Sequence, residues 1–151
     1  MIPIKNLVRD GCWLKCTARS REAQIELTFR MRILSFERLD YAQIGKAPSL
    51  VPIEAGAVRW LMKLEVVNLS KASTLFGYLT AEMRVVDADG YQFELETGDA
   101  GLHFSDFGRR ITLNSGTILP KLKHQGAVIF KLPDEDTEYS LTLRNGTMEE
   151  I

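Results

Sequence analysis

At 151 residues the chain is long enough for one domain to bury a hydrophobic core without disulfide or metal staples. Its 45% hydrophobic and 26% charged residues exclude disordered, collagen-like and disulfide-scaffold classes. Nineteen Lys and Arg against twenty Asp and Glu leave a net charge of −1. That balance lacks the basic surplus through which phosphate neutralisation drives nucleic-acid affinity, so no nucleic-acid partner is expected.

Along the first 23 residues Lys5, Arg9, Lys15, Arg19 and Arg21 are interspersed with Asp10 and Glu22, a pattern of solvated charge. The same charges interrupt any apolar stretch that a secretion signal would need. No uninterrupted apolar run approaches the ~18 residues of a membrane-spanning helix, so no membrane span is expected. Gly11-Cys12 lacks the small apolar residues that precede a lipoprotein cleavage site. A cytoplasmic location is expected for the chain as written, while a mature fragment of a secreted or cell-envelope protein would read the same way. If residues 12–18 form a strand, Cys12, Leu14, Cys16 and Ala18 share one face and Trp13 takes the other. Its four-residue separation puts the two thiols ~13 Å apart, beyond the ~7 Å between Cα atoms that a disulfide tolerates. Both cysteines are therefore expected to be small buried hydrophobes.

Residues 24–36, QIELTFRMRILSF, place Ile25, Leu27, Phe29, Met31 and Ile33 on alternate positions against Gln24, Glu26, Thr28, Arg30 and Arg32. Period-two alternation is the mark of a half-buried strand. In residues 57–68 the inward set is Val58, Trp60, Met62, Leu64 and Val66, with Arg59, Lys63 and Glu65 outward. Residues 75–86 read as another strand, with Leu75, Leu79, Ala81, Met83 and Val85 inward. Thr80, Glu82 and Arg84 oppose them, and Phe76 and Tyr78 also point away from the core set. Asp87-Ala88-Asp89-Gly90 turns the chain, the glycine supplying positive φ, and Tyr91, Phe93 and Leu95 return on alternate positions. Shorter strands are expected near residues 110–113, 127–132 and 139–144. The connections 37–56 and 97–109 are unusually long, and long loops often carry function.

About eight strands with no convincing long helix indicate an all-β sandwich or barrel, and one wet face per strand favours packed antiparallel sheets. The chain reads as one domain over residues 1–151, with 1–23 as an N-terminal segment. The order of features over residues 24–145 resembles a known family. Residues 52–70, PIEAGAVRWLMKLEVVNLS, run a glycine into a long strand ending in Asn68 and Ser70. The D-A-D-G turn and Tyr91 follow, and then LPKLKHQGAVIFKLP, with Leu119-Pro120, Gly126, Phe130 and Pro133 at the matching places. The pattern is similar to the bacterial immunoglobulin-like domain of unknown function found in secreted proteins and lipoproteins. The fold of that family resembles the mycobacterial immunoprotective extracellular antigen. The resemblance implies an immunoglobulin-like antiparallel β-sandwich and supplies no catalytic residues. The sequence departs from the family pattern at Pro120-Lys121, where the family has Pro-Gly.

No hydrolase, zinc-protease, Walker or dinucleotide signature occurs, and neither an enzymatic activity nor a cofactor is expected. His103 and His124 are expected in loops, exposed to solvent. Asp87, Asp89, Asp134 and Asp136 lie in acidic turns, and oxygen-rich turns suit calcium. Their other reading is ordinary hairpin chemistry. Residues 101–110, GLHFSDFGRR, concentrate His103, Phe104, Phe107, Arg109 and Arg110 in one loop. Aromatic and Arg residues anchor binding surfaces, although Phe104 and Phe107 would equally plug the end of a sandwich. Phe76 and Tyr78, read as an outward pair, mark either a contact, including a homodimer contact, or a covered face. The leading expectation is a protein-interaction or structural module with an unidentified protein partner. The alternative is a domain binding a small ligand, a carbohydrate or calcium.

Overall fold

A computed structural model describes residues 1–39, 53–96 and 116–151 in full, and the backbone of residues 103–106 and 109–112. The chain opens with β1 (Ile2–Pro3), α1 (Ile4–Asp10), β2 (Leu14–Arg19), β3 (Glu26–Arg38) and β4 (Ala57–Asn68). Next come β5 (Thr74–Leu75), α2 (Phe76–Thr80), β6 (Met83–Val86) and β7 (Gln92–Phe93), then β8 (His103–Asp106) and β9 (Arg109–Thr112). It finishes with β10 (Thr117–Ile118), β11 (Lys123–Pro133), β12 (Ser140–Leu143) and β13 (Gly146–Glu150). One antiparallel sheet has the order β11-β4-β3-β2-β13 and the other β1-β12-β6-β7, while β5 with β10 and β8 with β9 form two-stranded pairs.

The expected all-β sandwich is what forms. Leu27, Phe29, Met31 and Ile33 on β3, and Met62, Leu64 and Val66 on β4, bury one face of the large sheet. They meet Met83, Val85, Leu141 and Leu143 of the smaller sheet in a single apolar cluster. Ile25 precedes β3 and is exposed, so the inward alternation begins at Leu27, two residues later than expected. Tyr91, expected inward, is also exposed, because it lies in the turn ahead of β7. Gly90 takes φ 90° there, and Asp87 Oδ1 accepts the N–H groups of Asp89 and Tyr91.

Residues 75–86 depart most from the expected strand. Only residues 83–86 form a longer strand, and Phe76–Thr80 coil into α2. Helical spacing brings Phe76, Leu79 and Thr80 to one side, and all three are buried. Phe76, expected outward, is 0% exposed, whereas Tyr78 is half-buried. The Phe76 ring presses on β11 at Gly126, where an added Cβ would come within 2.6 Å of Cζ. The ring of His124, expected in a loop, is on β11 and lies 5.2 Å from that of Phe76.

The expected outward charges Glu82 and Arg84 are buried as well. Glu82, 0% exposed, accepts hydrogen bonds from Arg144 Nε at 3.0 Å, Arg144 Nη2 at 3.1 Å and the Arg21 backbone N–H at 3.1 Å. Arg84 donates to the carbonyls of Ala81 and Met83. On β4, Glu65 is held by Arg32, Lys123 and Gln125, and Arg59 by Glu96 at 2.8 Å. A buried charge survives only with such partners.

At the N-terminus α1 buries Ile4 and Leu7, stops at Gly11 in the left-handed region (φ 61°), and returns the Gly11 N–H to the Leu7 carbonyl. Cys16 is buried, and burial pushes its thiol up to about 12. Cys12 precedes β2 and is half-buried, and both cysteines are free. Trp13 stacks beneath two guanidiniums, 5.3 Å from Arg30 and 4.9 Å from Arg32. The turn at the family-like Asn68 is also resolved. Asn68 Nδ2 donates to the carbonyls of Ala72 and Ile118, and its Oδ1 accepts the Ser70 N–H. Lys121 adopts φ 68°, the conformation that the Gly of the family pattern would take without strain, and its N–H reaches the Asn68 carbonyl at 2.9 Å.

Two outcomes follow for stability. Gly126→Ala should cost about 1–3 kcal/mol in urea unfolding by driving a methyl group into Phe76. Adding Phe76→Leu should make the pair less destabilised than the sum of the singles. For Glu82, burial raises the carboxyl pKa, but the hydrogen bonds from Arg144 and Arg21 and the charges of Arg144 and Arg84 outweigh it, leaving it below the ordinary 4.5. A depressed folded value contributes stability above pH 4.5 that is lost as pH falls through it. Glu82→Gln should therefore cost ~2 kcal/mol at pH 7. The gap to the parent should narrow on acidification below pH 4.5, read by denaturant titrations at several pH values.

Candidate functional site

The strongest candidate site begins with a slip in β3. Ile33 pairs with Leu64, but Ser35 pairs with Lys63, so Leu34 is an extra residue in the ladder. After this bulge Phe36 stands opposite Met62 and Arg38 opposite Trp60, on the side that an unbroken alternation would have denied them. Phe130 of β11 also pairs with Trp60. Tyr139 arrives just before β12, held by its carbonyl, which accepts the Ile4 N–H of α1 at 3.0 Å.

These four side chains form one aromatic cluster. Phe36 stacks on Trp60 at 4.9 Å between centroids and 28° between planes. Tyr139 meets Phe36 edge-on at 6.2 Å and Trp60 at 6.0 Å, and Phe130 meets Phe36 at 6.4 Å. The separations fall in the range of favourable stacked and T-shaped pairs. Trp60, expected as core, is only partly buried. It lines a cavity of about 590 Å³ together with Phe36, Tyr139, Ile4 and Val8 of α1, and residues 136–138.

Two features distinguish this cavity. Tyr139 is 6% exposed, and its hydroxyl, like Arg30 Nε and Thr74 Oγ1, is a buried polar atom with no hydrogen-bond partner among the described residues. Burial raises its pKa, the nearby charges of Glu135 and Asp87 add to the rise, and Arg38 opposes it. The second feature is the charge around the rim. Lys5 pairs with Glu138 at 3.6 Å, Arg9 with Asp10 at 2.9 Å and Arg38 with Asp134 at 2.8 Å. Asp136 also lines the cavity, with no ion pair among the described residues.

A second cavity, of about 410 Å³, lies beside Tyr78, Arg84, Glu94 and Arg144. Of its charged groups Arg144 is committed to Glu82, and Arg84 to two backbone carbonyls and to Glu94 at 3.4 Å, while Glu22 on the same lining has no ion pair among the described residues.

The residues singled out in the sequence are scattered relative to the aromatic cavity. Residues 103–106 and 109–112, expected partly as loop, form the β8–β9 hairpin, with Phe104 opposite Ile111 and Ser105 opposite Arg110. The side chains of His103, Phe104, Arg109 and Arg110, and Phe107 altogether, lie outside the described residues. Phe76 belongs to the core and Tyr78 to the second cavity. Asp87 and Asp89 sit in the β6–β7 turn, and Asp134 and Asp136 in the loop after β11. No three metal-ligating side chains converge among the described residues. Among the described candidates, Asp136 alone lines the aromatic cavity. Phe36, Tyr139 and the α1 residues were missed, although Phe36 falls out of phase with the alternation before it, a readable sign of a bulge.

No protein-family model matches the chain, and no curated protein matches it. Solved structures do. The secreted protein MPT63 from Mycobacterium tuberculosis superposes with a TM-score of 0.52 at 13% identity, covering 91% of this chain and 88% of that one. A putative lipoprotein, ycdA, from Bacillus subtilis superposes with a TM-score of 0.50 at 10% identity, covering 91% of this chain but 38% of the longer protein. At such identities the likeness is one of fold. The chain is an antiparallel β-sandwich of the kind seen in these bacterial proteins, as the resemblance in its sequence implies.

Proposed function

We propose that the chain is a non-enzymatic binding module whose recognition site is the cavity between α1 and the Phe36–Trp60–Tyr139 cluster. The observation that carries this reading is the cavity itself, lined by Phe36, Trp60 and Tyr139 together with Ile4 and Val8 of α1. The volume of about 590 Å³ suits a small molecule, since ligand pockets run ~300–1,000 Å³ and are mostly apolar with a few placed polar groups. This favours a small-ligand site over the broad protein-interaction surface expected around Phe76, which is buried.

The reading is of binding rather than catalysis because the polar groups at the rim are mostly spent on one another as ion pairs. General acid–base chemistry asks for groups held within hydrogen-bond reach of the reacting atoms. The secreted and lipoprotein descriptions of the two structural neighbours favour a cell-envelope or secreted setting for such an accessory module.

The test is a small-molecule screen by two-dimensional NMR on the full chain, labelled with nitrogen-15. Compounds that bind should shift the Trp60 indole N–H and the amides of Val8 and Thr137, and Val8→Trp, which fills the mouth from half-exposed α1, should abolish those shifts. Binders that gather instead around Tyr78 and Arg84, with the Trp60 signal unmoved, would overturn the assignment.

A further inference from the structure

The far end of β4 carries a second surface, built from two turns that Asn68 ties together. The Asn68 side chain donates to the carbonyls of Ala72 and Ile118, and its own carbonyl accepts the Lys121 N–H at 2.9 Å. Asn68 also forms a parallel bridge with Pro120. Residues 69–73 and 119–122 therefore share one tip of the sandwich. Trp60 lies at the other end of the same strand, roughly 26 Å away at about 3.3 Å per residue.

Leucines project from this tip into water. Leu69 is 40% exposed, Leu119 51% and Leu122 58%, and Leu75, 45% exposed, stands opposite Thr117, two residues before Leu119. Single exposed leucines are ordinary, but four gathered on adjoining turns make a patch of the kind that marks an interaction site. The charge around them has one sign. Residues 69–75 and 116–125 contain no Asp or Glu. Lys71 and Lys121 are exposed and make no ion pair among the described residues. Lys123 is spent on buried Glu65, and Glu26, at the neighbouring start of β3, stands opposite Arg19.

We propose that this tip docks the chain onto the surface of an anionic lipid bilayer. The leucines enter the boundary between headgroups and acyl chains, and Lys71 and Lys121 lie among the phosphates. The residue types decide between a bilayer and a protein partner. Protein interfaces are anchored by Trp, Tyr and Arg, are depleted in Lys, and seldom rely on Leu as a hot spot. A bilayer surface favours the opposite mixture, because leucines gain by leaving water and a lysine stem holds its charge at headgroup level. A second copy of the chain would bring the lysines of both copies together. The whole chain carries −1, so attraction to an anionic surface must arise from a local patch such as this one. Docking here leaves the aromatic cavity, at the other end of β4, open to solvent.

The experiment is vesicle flotation of the full chain, with phosphatidylglycerol and phosphatidylcholine in equal parts against phosphatidylcholine alone. The parent should bind the anionic vesicles. Lys71→Gln with Lys121→Gln should weaken that binding about 25-fold, at about fivefold for each lysine near a charged surface. Leu119→Ser with Leu122→Ser, exposed changes that spare Ile118 and the Asn68 turn, should weaken it at least about tenfold at the same salt. Amide spectra of both variants check that each is folded like the parent. Failure of the parent to bind anionic vesicles would overturn the proposal, as would binding that neither variant weakens. Loss with the lysine variant alone would show a polyanion site without insertion, and would also overturn it. Sedimentation velocity without lipid covers the remaining occupant, since a dimer dissociated by the leucine variant would assign the patch to a second copy instead.

Discussion

Phe36, Trp60, Phe130 and Tyr139 come from three neighbouring strands of the large sheet and from the approach to β12 in the small one, and their mutual packing joins the two layers at one end. Each ring reaches the cluster through a separate constraint. The bulge at Leu34 rotates Phe36 into place, the β4–β11 register sets Phe130 opposite Trp60, and the Ile4 N–H draws α1 against Tyr139. Aromatic pairs add ~0.5–1.5 kcal/mol each beyond the area they bury, so the cluster stabilises the very end of the sandwich where the cavity opens. A helix of seven residues is not stable alone, and α1 depends on this packing together with the burial of Ile4 and Leu7 and the partial burial of Val8.

That same packing leaves a polar group uncompensated. Several buried polar groups in this fold are well served: Glu82 has three donors, Asn68 makes three hydrogen bonds in its turn, and Glu65 is shared by three side chains. The Tyr139 hydroxyl, like Arg30 Nε and Thr74 Oγ1, has no such partner among the described residues. Replacing it with a ring edge would keep the aromatic packing and remove a desolvation cost.

Much of the fold was legible because period-two alternation is local and strong. The β3 and β4 cores, the turn at Gly90 and the strands flanking residues 133–138 can be read directly from residue order. Legibility ended where distant partners decide the outcome. Glu82 and Arg84 look like solvent-facing charges until Arg144 and the Ala81 and Met83 carbonyls are brought to them by folding. Phe76 looks outward until a five-residue helix turns it toward the space left by Gly126. Lys121 hides a left-handed turn that a glycine would have announced. The cavity was the least legible feature, since α1, the β3 bulge, β4 and the loop after β11 each contribute a fragment with no motif of its own. Asp136 was noticed for its charge, but Phe36 and Trp60, which share its cavity, are far away in sequence.

The central claim is that the Tyr139 ring serves the fold and its hydroxyl does not. Equilibrium urea unfolding of Tyr139→Phe against the parent chain tests this most directly, because the substitution removes one oxygen and keeps the ring packing. The account predicts a variant as stable as the parent or more stable, since an unsatisfied buried hydroxyl is a cost to the folded state. A loss of about 1 kcal/mol or more would show that the hydroxyl is held by a hydrogen bond in the folded protein, and would contradict the account.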